Sequence, residues 1–249
     1  MKDIRIGIMT TLWKRPELSR IVLSWYTALE IKGVELVCLA AGSEGKRSET
    51  LAKDCGWYYV SARNNPLGAK HNKALRSICT LDNIDAVVII GSDDLCNREY
   101  FEHIRDEIRD DADEISMEGI YYHDLATGKT AYVDRINPGA GRVLSYSFCK
   151  MHNFKAWPDE ANNMLDGKMH GQILQHAMLR RSIHNPDKQN IVVLDIKGSD
   201  TNMWTQREMN ERVRHMPRTE LDTKEFFNNH FPGILEKLNA IKQKEKNGS

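Results

Sequence analysis

The sequence predicts an α/β fold, a mixed sheet that is mainly parallel in its N-terminal half and flanked by helices. Three observations carry this. Apolar strand-like runs alternate with amphipathic helical stretches through the first half. The most apolar run, Ala86-Val87-Val88-Ile89-Ile90, has no polar interruption and reads as a strand covered on both faces. Polar residues follow the strand candidates directly, where ligands bind in open α/β sheets.

The elements follow in order. Ile4, Ile6 and Ile8 alternate with Arg5 and Gly7, a strand pattern. Pro16 opens a helix that carries Leu18, Ile21, Val22, Trp25 and Leu29 on one side, and Gly33 stops it. Val34 to Ala41 reads as a buried strand, Lys46 to Cys55 as a helix ended by Gly56, and Trp57 to Ser61 as a strand. Ala69 to Leu81 is predicted helical, as is Arg98 to Arg109. A β-α-β-α-β-α-β order of this kind implies right-handed crossovers.

The second half has another texture. Ile115 to His123 and Thr130 to Val133 flank Ala126-Thr127-Gly128-Lys129 and predict a hairpin. Arg142 to Lys150 reads as a strand, Gly167 to Arg181 as a helix and Asn190 to Lys197 as a strand. From Phe226 onward, Ile234, Leu235, Leu238 and Ile241 fall at helical spacing before a basic polar tail. The expected organisation is one domain over 1–225, with halves at 1–112 and 113–225, then a C-terminal helix and tail over 226–249.

Composition narrows the function classes. The chain has 249 residues, 35 Lys+Arg against 35 Asp+Glu, 41% hydrophobic and 28% charged residues. That balance excludes wholesale disorder and a generally basic nucleic-acid coat. No apolar run approaches the roughly 20 residues of a membrane span, so no membrane association is expected. Five scattered cysteines with no CxxC pair argue against a disulfide scaffold. With no export signal read at the N-terminus, a cytoplasmic location is expected, that of the host if the chain is viral.

Two segments carry the chemistry. In Ile89-Ile90-Gly91-Ser92-Asp93-Asp94, two carboxylates follow the strongest strand. Such a pair suits Mg²⁺ or Mn²⁺ held together with substrate phosphates; capping of the helix at Arg98 is the alternative. Asn64-Asn65-Pro66-Leu67-Gly68-Ala69-Lys70-His71-Asn72 is an amide-rich turn entering a helix with Lys70 in its first turn, chemistry that suits a phosphate, or a plain capped helix.

Taken in series, these segments resemble a GT-A glycosyltransferase of the family 2 type, with its Rossmann-type sheet, over roughly residues 1–180. Ile8-Met9-Thr10-Thr11 with Arg15-Pro16-Glu17-Leu18 stands where the family has a strand end and a following helix. Gly68-Ala69-Lys70-His71-Asn72 matches its Gly-x-x-x-Asn segment, and Gly91-Ser92-Asp93-Asp94 its metal motif, with Gly91 where an Asp is usual. Trp157-Pro158-Asp159-Glu160 and Leu165-Asp166 match the stretch that ends in the catalytic base.

The resemblance implies a metal-dependent, inverting transfer of a sugar from a nucleotide-sugar donor to an acceptor hydroxyl, of a saccharide or of a hydroxymethylated base in DNA, as some phage enzymes do. Residues 1–112 would then bind the nucleotide sugar and 113–225 the acceptor. It implies Asp94, Asp93 and Asp200 as ligands of Mn²⁺ or Mg²⁺. It implies Asp166 as base, backed by Asp159 and Glu160, with helix capping as the other role open to Asp166. Donor contacts would come from Thr10, Thr11, Arg15, Ser43, Asn64, Gly68, Lys70, Asn72, Ser92, Asp93 and Arg142. Asn202 is a further metal candidate, and Trp204, Arg207, Arg212, Arg214, His215 and Arg218 form a basic stretch with an aromatic for phosphate contacts. A nucleotidyltransferase, or a non-catalytic binding protein of nucleotide sugars or nucleic acid on the same fold, is the alternative.

Overall fold

A computed structural model describes residues 3–247 apart from 82, 185 and 199–216. The first half alternates as expected: β1 Ile4–Leu12, α1 Pro16–Ala28, β2 Val34–Gly42, α2 Lys46–Asp54, β3 Tyr58–Ser61, α3 Leu67–Cys79 and β4 Ala86–Ile89. The second half runs β5 Asp94–Cys96, α4 Arg98–Arg109, β6 Glu114–Met117, β7 Gly119–Asp124, β8 Lys129–Asp134, β9 Arg142–Ser145, α5 Tyr146–Met151 and α6 Leu165–Gln172. It ends with β10 Arg180–Ile183, β11 Val193–Lys197, β12 Arg218–Leu221, α7 Thr223–His230 and α8 Ile234–Asn247.

Two sheets organise these strands. The larger has the order β10-β6-β9-β4-β1-β2-β3. Its β4-β1-β2-β3 portion is wholly parallel, and β9 runs antiparallel to both β4 and β6. Alternate residues of β1 feed two cores. Ile6 and Ile8 pack with Leu23 and Tyr26 of α1 and Phe101 and Ile104 of α4 on one face. Met9 packs with Leu75 and Ile78 of α3 on the other, beside Phe148 of α5 and Trp157. The helices thus cover both faces, which is why these strands read as continuous apolar runs.

The smaller sheet has the order β12-β8-β7-β11-β5. β5 pairs antiparallel with β11, and β7 pairs parallel with β11. One face carries Tyr121 and His123, which meet Phe226 and Phe227 of α7 at ring-centroid distances of 5.1 and 4.9 Å. No helix among the described residues is long and apolar enough to cross a membrane.

Several expected boundaries shift for local reasons. The strand over 142–150 stops at Ser145, whose Oγ accepts the Phe148 N–H and starts α5. The helix over 167–181 is α6 alone, followed by a 3₁₀ turn and the edge strand β10. Ile115 to His123 is two strands, β6 and β7, which enter different sheets on either side of Glu118. The C-terminal helix is two, α7 and α8, joined through Gly233 at a φ of 75°.

His123 is buried against α7, bonded through Nδ1 to Thr130 Oγ1 at 3.0 Å. Burial pushes it down to about 4, against the pull of Asp124. In the unfolded chain a histidine titrates near 6.5. Between those values the unfolded state binds more protons, so this residue's contribution falls as pH falls. The difference in thermal stability between wild type and His123→Gln should therefore hold constant above about pH 7 and shrink toward pH 4. Paired melts check this; a gap that widens on acidification contradicts it.

Candidate metal and ligand site

The chain leaves the larger sheet at Ile89 and enters the smaller one at Asp94. The four residues between make a tight reversal: the Asp94 N–H points at Gly91 O, and Asp94 Oδ2 accepts the Gly91 N–H. A side chain on Gly91 would meet Asp93 Oδ1 at 2.7 Å and Asp94 Oδ2 at 2.8 Å. Glycine, where the family motif has Asp, is thus what lets both carboxylates fold back over this turn. Helix capping is not their role, because Asn97 caps α4 with a side-chain oxygen that accepts the Tyr100 N–H.

β11 supplies a third carboxylate. Asp195 stands opposite Asp94 in the β5–β11 ladder. The ligand oxygens of Asp93, Asp94 and Asp195 lie within 4.8 Å of one another. The three residues are 8%, 5% and 9% exposed, so water screens them little. Arg15 Nη1 donates to Asp93 Oδ2 at 2.6 Å and Arg15 Nη2 to Ser92 Oγ at 3.2 Å. Lys197 Nζ lies 2.6 Å from Asp195 Oδ2.

Three carboxylates thus face two cations. Two like charges about 5 Å apart repel by roughly 3 kcal/mol at an effective dielectric of about 20. Burial first, then Asp195 and Asp93, raises Asp94 well above the usual carboxylate range. Burial also raises Asp195, against the pull of Lys197. Asp195 Oδ1 is buried with no hydrogen-bond partner among the described residues. An orphaned oxygen and an excess negative charge in an all-oxygen donor set fit a hard divalent cation.

The wall behind this cluster is rigid. Tyr26, buried under α1, donates its hydroxyl to Asp94 O at 3.1 Å and accepts the Cys96 N–H at 2.9 Å. Asn97 accepts the Val192 N–H and donates to Asn190 O, binding the start of β11 to the end of β5.

Lys70 organises the neighbouring strand ends. It is 1% exposed, and its ammonium donates to Leu12 O at 2.7 Å, Asn64 Oδ1 at 2.9 Å and Ser43 Oγ at 3.4 Å. One cation therefore ties the chain after β1, β2 and β3 to α3. Burial pushes it down to about 8, with Glu44 pulling the other way. Thr10 is buried at the end of β1 with its hydroxyl unpartnered among the described residues, and Thr11 beside it is half-buried.

Other expected residues take structural roles. The Gly68 and Ala69 N–H groups donate to Ala161 O and Asp159 O, so the first turn of α3 is committed to protein. Asn72 donates to Trp157 O and Asp159 Oδ1 and accepts the Ala156 and Trp157 N–H groups. Gly68 and Asn72 thus build the joint between α3 and residues 156–161, and Asp159, also paired with Lys155 at 2.8 Å, belongs to it. Glu160 is exposed. Arg142 is buried against the fully buried Glu114, Nε to Oε1 3.2 Å, and donates to Asn137 Oδ1, ordering the 137–141 turn. Asp200, Asn202, Trp204, Arg207, Arg212, Arg214 and His215 lie outside the described residues.

Asp166 sits in the first turn of α6, where Met164 is the cap. Its side chain opens to solvent yet is crowded by protein, as a residue lining a recess is. That crowding raises its carboxyl, opposed by the Arg142 charge and a hydrogen bond from the Gly139 backbone. A side chain on Gly139 would collide with the Asp166 carboxylate, so this approach requires glycine.

Asp195 was not anticipated from the sequence. It lies in Ile191-Val192-Val193-Leu194-Asp195-Ile196-Lys197, an apolar strand interrupted by two charges two residues apart. Two charges on one face of a strand otherwise buried was the available signal.

No protein-family model and no curated protein matches this sequence. Solved structures do. S. aureus TarS 1-349 in complex with UDP-GlcNAc superposes with a TM-score of 0.57 at 11% identity, over 98% of this chain and 72% of that one. Its complex with UDP gives 0.55 at 9% identity, over 99% and 72%. TarS 1-349 alone gives 0.53 at 13% identity over 73% of this chain, which spans 58% of that chain. The fold is GT-A-like, as the sequence resemblance implied.

If the three carboxylates form a cation site, Mn²⁺ should raise the melting temperature of the wild type, because a ligand of the folded state alone stabilises it. Asp94→Asn and Asp195→Asn should each abolish that rise; in EDTA Asp94→Asn should melt no lower than wild type, since it removes repulsion, whereas Asp195→Asn takes the charge partner from the buried Lys197 and should melt lower. An undiminished Mn²⁺ shift in both variants contradicts the assignment.

Proposed function

We propose that this chain is a metal-dependent glycosyltransferase that moves a sugar from a nucleotide-sugar donor to an acceptor hydroxyl with inversion. The observation that carries the reading is the convergence of Asp93, Asp94 and Asp195, with one buried oxygen unpartnered among the described residues, where the chain passes between the two sheets of a GT-A-like fold. The UDP-GlcNAc and UDP complexes of the TarS neighbours support the choice of donor class.

In this reading Asp93, Asp94 and Asp195 hold Mn²⁺ or Mg²⁺. The cation supplies neutralisation of the charge that develops on the diphosphate leaving group. Arg15 holds Asp93 and Ser92 in place, so the carboxylates meet the ligand already oriented. Lys70 fixes Ser43, Asn64 and the chain after Leu12 as one surface for the nucleotide, with Thr10 and Thr11 beside it. Asp166 takes the proton of the acceptor hydroxyl as that oxygen attacks the anomeric carbon. Its raised affinity for protons moves it toward the range in which a carboxylate both accepts and releases one.

Incubation with a panel of nucleotide sugars and Mn²⁺ should release the nucleoside diphosphate from one of them, faster when saccharides or hydroxymethylated DNA provide the acceptor. Asp166→Asn should lower kcat by about 10²- to 10⁴-fold with little change in the donor KM. Tight donor binding without turnover would make the chain a binding protein, and an unchanged kcat in Asp166→Asn would remove Asp166 as base.

A further inference from the structure

The smaller sheet sets a row of side chains beside the cation site. Asp94 of β5 pairs with Asp195 of β11, and Asp195 pairs with Tyr122 of β7. Residues in register on neighbouring strands share a face. The next rung on that face pairs Lys197 with Asp124. The opposite face, with Tyr121 and His123, is the one packed on α7. Tyr122 therefore projects to the side of the carboxylates, away from the apolar backing.

Tyr122 is largely buried, but its hydroxyl, unbonded to the described residues, keeps contact with solvent and so is open to a ligand. After burial, the influences on this phenol are the charges of Asp195, Asp94 and Asp166, and all three raise it. By register the hydroxyl lies on the side of the carboxylate cluster, and the 137–141 turn against which Asp166 rests is tied to the end of β4, beside that cluster, by the Gly141 N–H to Ile89 O bond. In the function proposed above, the leaving diphosphate belongs at the cluster and the attacking hydroxyl at Asp166.

Resting on that reading, we propose that Tyr122 donates a hydrogen bond to an oxygen of the transferred sugar and is a specificity-determining residue of the site. The sugar is the one part of the reacting pair that must lie between diphosphate and acceptor. A neutral phenol set among carboxylates can donate to a sugar oxygen without bringing further charge. Its place on a strand whose other face is cemented to α7 keeps it rigid.

The test is Tyr122→Phe, measured on the nucleotide sugar that wild type turns over and on the matching nucleoside diphosphate. The expected result is a fall in kcat/KM of about 5- to 150-fold, with nucleoside diphosphate affinity in Mn²⁺ unchanged. Because the phenol bonds to none of the described residues, the variant should also melt no lower than wild type in the absence of ligand. An unchanged kcat/KM overturns the proposal. Equal weakening of diphosphate and nucleotide-sugar binding overturns it too, by placing the hydroxyl on the diphosphate. A lower ligand-free melting temperature would show a structural bond and likewise overturn it. If wild type turns over no nucleotide sugar, the functional reading fails first, whereas turnover that Tyr122→Phe leaves intact removes only this assignment.

Discussion

Three carboxylates buried within 4.8 Å of one another constrain everything around them. Such a cluster is electrostatically unfavourable on its own, and the fold is arranged to hold it open. Arg15 and Lys197 offset two of the charges from opposite sides. Tyr26 and Asn97 lock the backbone of β5 and the start of β11 from behind. Gly91 lets the turn between the sheets close without displacing either Asp93 or Asp94. Each of these contacts stabilises a geometry in which Asp195 Oδ1 still has no partner among the described residues. A fold that orders so many groups around an unsatisfied oxygen is prepared for a ligand rather than for maximal stability.

The two sheets divide the labour. The larger one brings the ends of β1, β2 and β3 together, and Lys70 fastens them without a carboxylate partner, using only neutral oxygens. The smaller one is two-faced. Its apolar face is closed by the aromatic side chains of α7, and its polar face presents Asp94, Asp195, Lys197, Tyr122 and Asp124. The site lies where the chain passes from one sheet to the other, so the same short segment terminates the first core and begins the second. The buried Glu114, held by Arg142 and Arg180, then fixes the 137–141 turn against which Asp166 rests.

Much of this was legible in the sequence where the physics is local. The central parallel strands β1, β2 and β4 of the larger sheet are largely buried and interleaved with amphipathic helices, so strand patterns and helical spacing located them. Asp93 and Asp94 stood out because they follow the most apolar of those strands. The second half hid its structure because β5, β6, β9, β10 and β12 are three or four residues long, too short for a period to show. Asp195 and Tyr122 were hidden for a related reason: strand register, which no local pattern reveals, brings them beside Asp94. Asn72, Gly68 and Arg142 make joints between elements that their sequence did not reveal, since an amide or guanidinium in sequence carries no sign of which partner it will meet.

The central claim is that Asp93, Asp94 and Asp195 together bind a divalent cation. Anomalous diffraction from crystals grown with Mn²⁺ and a nucleoside diphosphate tests it most directly. The account predicts a manganese peak coordinated by oxygens of all three carboxylates, with the diphosphate on its open side. A map with no peak there, or with manganese bound elsewhere while the three carboxylates keep their present partners, would contradict it.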